Sequence, residues 1–578
     1  DMPESVSAFQ TMSDFSSWGM PGSLELKPEI TAPGGNIYSV NGLIPGGTSY
    51  ENMSGTSMAA PQIAGMSALA AQYVRENKLA EKTGLTSRVL IQSLLMSTAT
   101  PLYGGDENDS YTYSVFQQGA GLANINDVIN ADSYILMDAN ATDSYKDGKI
   151  KVELGDDPDM KGEYSFGFTV NNLTDTAKDY ALYTDMFTQA PISDNDNNLY
   201  MHTSTIPLSY SVQYSVNGTD VNEGDVITVP ANGSVKVTAY IELDPSYTEM
   251  LMSIFDKGLY VEGYTYVEGA VDAEGAEGTV HSIPILGFYG NWTDPSMFDV
   301  GSYIEFISGE EFRKPYLGSM TENVFGIEYA SDPGSTYILG GNPGIMDETY
   351  MEERNAINGG DTVSTIIFTA IRNAASSMVS VINDSDPEKS IAIETGSVDA
   401  AFYYDNGGEW RNTTNSLNLG FSPSASGYKE GEKFTVRLTL APEYYVQDGE
   451  EGTITAWDKL GEGASFEIPL TVDNTNPKIT RISLDENNNV LKVTVQDNQY
   501  VAGVRLYNKT GDALIAEVGS DPDAKAGETG EFLIPVDGIK GTEFLIRAYD
   551  YANNMSTYRF NEEIGENLPT PDMLALNY

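Results

Sequence analysis

Residues 52–77 read NMSGTSMAAPQIAGMSALAAQYVREN. Ala59, Ile63, Met66, Ala70 and Val74 recur at helical spacing, with small residues on most other faces. That pattern predicts a helix from about residue 56 to 76, apolar nearly all round and therefore buried on every side. What enters it is unusual, a Gly-Thr-Ser turn. Thr56 or Ser57 could simply cap a core helix, since hydroxyl side chains commonly satisfy the free N–H groups of a first turn. Alternatively, Ser57 is a nucleophile placed where unpaired N–H groups and the helix dipole favour developing negative charge. In acyl transfer the N–H of Ser57 itself could help hold an oxyanion, and Gly55 would permit close approach. Pro61 reads as tolerated near a helix start.

Working outward, Val89, Leu90, Leu94 and Leu95 predict a second helix over about 87–98, and PEITAPGGNIYSV (28–40) reads as short buried strands broken by Pro33-Gly34-Gly35. Up to about residue 130 this is α/β material. Beyond it the period becomes two. In SVKVTAYIEL (234–243) Val235, Val237, Ala239 and Ile241 alternate with polar residues, and FTVRLTL (434–440), LKVTVQ (491–496) and FLIRAYD (544–550) do the same. Alternating strands divided by Gly, Asn, Asp and Pro clusters predict antiparallel sandwiches. GSVKVTAYIELDP (233–245) also echoes GEKFTVRLTLAPE (431–443), which points to tandem modules. The expected fold class is a multidomain chain: a partial α/β domain over 1–130, then three all-β sandwiches over 131–300, 301–472 and 473–578.

Composition narrows the function classes. The 578 residues carry 84 acidic against 31 basic side chains, a formal net charge of −53. Such a chain repels polyanions, which excludes nucleic-acid binding as a partner class. There is no cysteine, so disulfides, thiolate metal sites and cysteine nucleophiles are all excluded. No apolar run is long enough to span a membrane.

Four segments then carry a specific likeness. DFSSWG (14–19), KPEITAPGGNIYSV (27–40), MSGTSMAAPQIAG (53–65) and QGAGLANINDVI (118–129) occur in the order and approximate spacing of the final part of a subtilisin-like serine protease domain. The chain resembles the multidomain cell-envelope subtilases of Gram-positive bacteria, the lactocepin and C5a-peptidase group, in which a fibronectin-III-like module follows the protease domain. YSFGFTVNNLTDTAKDYALY (164–183) and IPILGFYGNWTD (283–294) look like strands of that module. The resemblance implies a secreted or cell-wall-associated endopeptidase acting on protein or peptide substrates through an acyl-enzyme. It implies Ser57 as nucleophile, Gly55 and Thr56 framing the oxyanion hole, and Phe15, Met53 and Met58 lining the primed side of the cleft. No cofactor is required by this reading, although a structural calcium ion is compatible with it.

One departure limits the likeness. Subtilases use Asp, His and Ser in that chain order. The two histidines here, His202 in YMHTST and His281 in TVHSIP, both follow Ser57 and lie in β-module sequence. No Asp-Thr-Gly or Asp-Ser-Gly string marks the acid, and no candidate for the family's oxyanion-hole Asn precedes Ser57. The expectation is that both histidines are structural, and that the Asp, His and Asn belong to a missing N-terminal part of the protease domain, without which the chain is inactive. The competing reading is a non-catalytic surface protein whose β-modules bind ligands.

Other features carry less. GDDPDM (155–160), SDNDNN (193–198), DENNN (485–489) and DPD (521–523) are oxygen-rich but fit no EF-hand pattern, and read as solvated turns. Trp292 and Trp410 could stack on sugars if exposed, but read first as core. ENLPTPDM (566–573) lacks the Leu-Pro-x-Thr-Gly pattern of wall sorting.

Overall fold

The computed structural model describes residues 11–19, 22–41, 49–106, 109–138, 148–193, 199–271, 278–299, 326–331, 335–338, 352–405, 407–408, 410–413, 415–449, 452–485, 490–521, 523–536 and 543–561. The chain divides into two compact units, Asp1–Pro295 and Ser296–Tyr578.

The first unit opens with a two-stranded antiparallel hairpin, β1 (Ile37–Val40) and β2 (Tyr50–Met53), in which Ile37 faces Met53. Helix α1 (Thr56–Glu76) follows, then the short α2 (Leu79–Thr83) and α3 (Ser87–Ser97). Thr86 caps α3 by accepting from the Val89 N–H at 3.3 Å. Leu90, Leu94 and Leu95 of α3 close with Ala70 and Val74 of α1, and with Val128 and Tyr134, into one apolar cluster.

Two of the expectations for this region fail. Only Ala70 and Val74 of α1 are buried, and Leu69 is 52% exposed. The apolar periodicity is real, but the described residues pack only the last third of the helix. The 28–40 segment is not a pair of buried strands either. Thr31 makes one parallel bridge to Leu122, and β1 is largely solvent-facing, with Tyr38 68% and Val40 66% exposed. Gly34 serves a close backbone contact described below instead of a break between core strands.

The rest of the first unit is a sandwich. Its five-stranded sheet runs 219–221, 210–216, 234–243, 163–172, 133–137, and its six-stranded sheet runs 226–229, 178–193, 259–269, 280–289, 152–157, with 199–207 added on 178–193. Strand 234–243 shows the expected alternation, burying Val235, Val237, Ala239, Ile241 and Leu243. Strand 152–157 pairs in parallel with 280–289, Ile285 facing Val152.

The second unit holds two cores. One gathers residues from Met297 to Val472, between a four-stranded sheet and a five-stranded sheet ordered 356–357, 465–472, 433–441, 376–382, 391–395. The other gathers Ile479 to Ala548, between a three-stranded sheet (478–485, 490–496, 530–535) and a four-stranded sheet (514–519, 501–508, 543–550, 555–561). The sequence echo has a structural counterpart: strands 234–243 and 433–441 each occupy the middle of a five-stranded sheet, the position buried on both edges. The mostly β architecture with a short α/β start is the fold class expected from sequence.

Candidate active site

The start of α1 is built by its neighbours. Gly55, the residue before the helix, sits at φ 154°, ψ 159°, a region essentially reserved for glycine. Its N–H donates to the Gly34 carbonyl at 2.9 Å, and the Met58 N–H closes back on the Gly55 carbonyl at 3.0 Å. A Cβ on Gly34 would lie 2.8 Å from the Gly55 oxygen, so only a bare backbone can pass here. Gln62 Nε2 donates to the Pro33 carbonyl at 2.7 Å, and the Asn36 N–H to Ser54 Oγ at 2.9 Å. The Pro-Gly-Gly-Asn stretch is therefore a wall clamped against the helix entrance.

Neither Thr56 nor Ser57 caps this helix, and no side-chain cap bond forms at Gly55. Ser57 lies in the first turn, exposed. By helix geometry the N–H groups of Thr56 and Ser57 have no acceptor inside the helix, and no acidic side chain stands in the first turn to compete for them. Pro61 lies inside the helix beyond the first turn, contrary to its reading as a helix-start residue; it has no N–H to donate to the Ser57 carbonyl one turn back.

A cleft of about 690 Å³ adjoins this entrance, lined among others by Phe15, Thr31, Gly34, Asn36, Gly55 and Thr56. Of the residues expected around one site, the structure thus brings Phe15, Gly55 and Thr56 together. Ser57, Met53 and Met58 do not contribute to that lining. Phe15 and Met53 are 45% and 46% exposed, and Met58 is half-buried.

His281 lies on strand 280–289, fully enclosed. Its Nδ1 meets Ser97 Oγ and its Nε2 meets Ser133 Oγ, both at 2.9 Å. Burial lowers its pKa to about 4, so it is neutral in the folded protein and both ring nitrogens are committed. His202 lies on strand 199–207, and its side chain is outside the described residues. Trp292 is 4% exposed and packs edge-on to Phe288 and Tyr260, which removes it as an exposed sugar platform; the Trp410 side chain lies outside the described residues, as do most of 193–198, 485–489 and all of 566–573.

Sequence reading missed Glu262. It is completely buried on strand 259–269, and its Oε2 accepts from Ser114 Oγ (2.5 Å) and the Val115 N–H (2.8 Å), while Oε1 has no partner. Burial raises its pKa to about 7. Because the raised value belongs to the folded state, folding binds a proton more tightly between about pH 4.5 and 7, so this carboxyl's contribution to stability falls as pH rises through that window. Glu262→Gln should be at least as stable as the parent at pH 8, by up to about 3 kcal/mol, and lose that advantage toward pH 4.5. His281 contributes a slope of opposite sign between about pH 4 and 6.5, so the quantity to measure is the difference between the two proteins in urea melts across pH 4.5–8. A flat difference would contradict the assignment.

Comparison with known proteins matches residues 5–121 to the subtilase family and residues 152–286 to the Fn3-like domain family. The PI-type proteinase of Lactococcus lactis subsp. cremoris is 27% identical over 494 residues, 82% of this chain and 23% of that protein. The PIII-type proteinase of L. lactis subsp. cremoris strain SK11 is 33% identical over 298 residues (50% and 13%), and the C5a peptidase of Streptococcus pyogenes serotype M1 is 29% identical over 293 residues (50% and 22%). The chain therefore spans less than a quarter of the length of these relatives. Residues 5–121 thus match the subtilase family and residues 152–286 the Fn3-like domain family, and the chain is similar to the lactocepin and C5a-peptidase group of subtilases.

Proposed function

We propose that the chain carries the nucleophile of an extracellular or cell-wall-associated serine endopeptidase, and that Ser57 is that nucleophile. The observation that supports this best is the exposed Ser57 hydroxyl in the first turn of an uncapped helix, reached through a Gly55 conformation that other residues avoid. In the reaction a base takes the Ser57 proton as Oγ attacks the peptide carbonyl. The negative charge passes to the carbonyl oxygen, where the Ser57 N–H, directed by Gly55 and Thr56, can donate to it. Collapse expels the amine, protonated by the conjugate acid of the base, and water then hydrolyses the ester by the reverse proton route.

The base is not His281, whose two nitrogens are held by Ser97 and Ser133. We infer that a further segment of the protease supplies the imidazole, its carboxylate partner and an oxyanion amide, and that it packs on the unburied faces of α1 and the exposed side of the β1–β2 hairpin. Phe15, Met53 and Met58 would then contact residues on the leaving-group side of the scissile bond. The substrates are proteins or peptides, and a structural calcium ion is compatible with this reading. The test is hydrolysis of a denatured protein by the longer protease, compared with its Ser57→Ala variant. The variant should lose on the order of 10⁴–10⁶ in kcat. Unchanged hydrolysis in the variant would overturn Ser57 as the nucleophile, and none in either protein would favour a ligand-binding role instead.

A further inference from the structure

Far in sequence from Ser57, within the second unit, three carboxylates converge. Asp473 directly follows strand 465–472 of the middle sandwich, Asp497 follows strand 490–496 of the last, and Asp550 ends strand 543–550 of the last. One oxygen from each lies within 4.8 Å of the other two. All three side chains are buried, at 0%, 5% and 0% exposure. None belongs to the acidic runs that stand out in the sequence.

The hydrogen bonding is incomplete in a specific way. Asp473 Oδ1 accepts from the Thr475 N–H (3.1 Å) and Asp497 Oδ2 from the Gln499 N–H (3.0 Å). Asp550 accepts at both oxygens from Asn554, whose Nδ2 also donates to the Asp473 carbonyl at 2.8 Å. The other two oxygens, Asp473 Oδ2 and Asp497 Oδ1, are enclosed and have no hydrogen-bond partner. Buried carboxylate oxygens are otherwise nearly always satisfied.

We propose that Asp473, Asp497 and Asp550 bind a calcium ion that fastens the last sandwich to the middle one. Calcium takes six to eight oxygens at roughly 2.3–2.6 Å, so no two ligand oxygens stand more than about 5 Å apart, a limit that the three oxygens here respect. The donors are all hard oxygens, with no nitrogen or sulfur ligand. Charge points the same way. Burial and then the Asp497 charge push the Asp473 carboxyl up to about 7, and burial and the Asp473 charge hold Asp550 well above the carboxylate range. Glu430 adds further negative charge beside Asp473 and Asp497. A divalent cation would satisfy both bare oxygens and remove the repulsion in one step. Since one ligand comes from the end of the middle sandwich and two from the last, the ion would stiffen the 473–477 connection.

The experiment uses the whole 578-residue chain, stripped with EDTA. Calorimetric titration with calcium chloride should show a site with Kd below about 1 mM, and the melting transition of the second unit should rise with calcium. Asp497→Asn should lose that one equivalent, or bind at least about 10-fold more weakly, and lose the thermal response. It should still fold, because relieving the crowding of three buried carboxyl groups leaves its melting in EDTA equal to or above that of the parent. Equal calcium stoichiometry and equal thermal response in the two proteins would overturn the proposal. So would magnesium binding as tightly as calcium, or a parent protein that binds no calcium at 5 mM, roughly five times the weakest Kd expected.

Discussion

The 578-residue chain by itself should hydrolyse no peptide above the rate of its Ser57→Ala variant. A serine hydroxyl is a weak nucleophile at neutral pH until a base within hydrogen-bond reach takes its proton. His281 cannot do this: its ring sits in a sandwich core, neutral, with Ser97 and Ser133 on its two nitrogens. The helix dipole and the Ser57 N–H stabilise charge once it forms but abstract no proton. Losing the base and its orienting acid removes several orders of magnitude from turnover, and the two losses do not simply add. An oxyanion-hole side-chain donor supplied from elsewhere would account for about 10²–10³ more. Adding a separately produced polypeptide that carries those groups should restore hydrolysis. Restoration should also bury the apolar face of α1, readable as slowed amide exchange over 56–69.

Lys151→Ala should destabilise the first unit by about 3–5 kcal/mol. The Lys151 ammonium is completely enclosed and pairs with Glu153 at 2.6 Å and Glu25 at 2.7 Å, and it also donates to the Leu26 carbonyl at 3.2 Å. Glu153 is nearly as buried, and its Oε1 accepts from the Leu26 N–H at 2.9 Å. Together they stitch residues 25–27, which lead directly into the wall of the cleft, onto the edge strand 152–157 of the sandwich. Truncating the lysine strands a buried carboxylate, the arrangement in which a lost ion pair is most damaging. Replacing both members, Lys151→Met with Glu153→Leu, should recover most of the loss, since no charge is then left unpaired. Urea unfolding of the two variants checks this. A loss below about 1 kcal/mol for Lys151→Ala would show the pair to be energetically idle.

Strand positions were legible because the two-residue alternation survives in the structure: 234–243 buries every second side chain, as its sequence implies. Helix α1 was legible in extent, Thr56–Glu76, but not in environment. Periodicity reports that a face is apolar, not that anything covers it. The glycines of Pro33-Gly34-Gly35 looked like strand breakers, whereas contact with the Gly55 carbonyl, 21 residues away, is what demands Gly34. Such long-range contacts leave no local signature. The same holds for Glu262, an ordinary glutamate in an alternating strand until Ser114 and Val115 of a distant helix start close over it. Asp473, Asp497 and Asp550 are likewise dispersed, single acids at strand ends, while the conspicuous acidic runs elsewhere drew attention. At the candidate site the Gly-Thr-Ser entry to the helix was readable from sequence. The cleft wall that clamps it required the fold.

The most direct test of the central claim is a fluorophosphonate probe with the modified residue mapped by mass spectrometry. The account predicts a single adduct on Ser57 when the chain is combined with the rest of the protease, and none above background on the chain alone. An adduct on a different serine, or strong Ser57 labelling of the isolated chain, would contradict it.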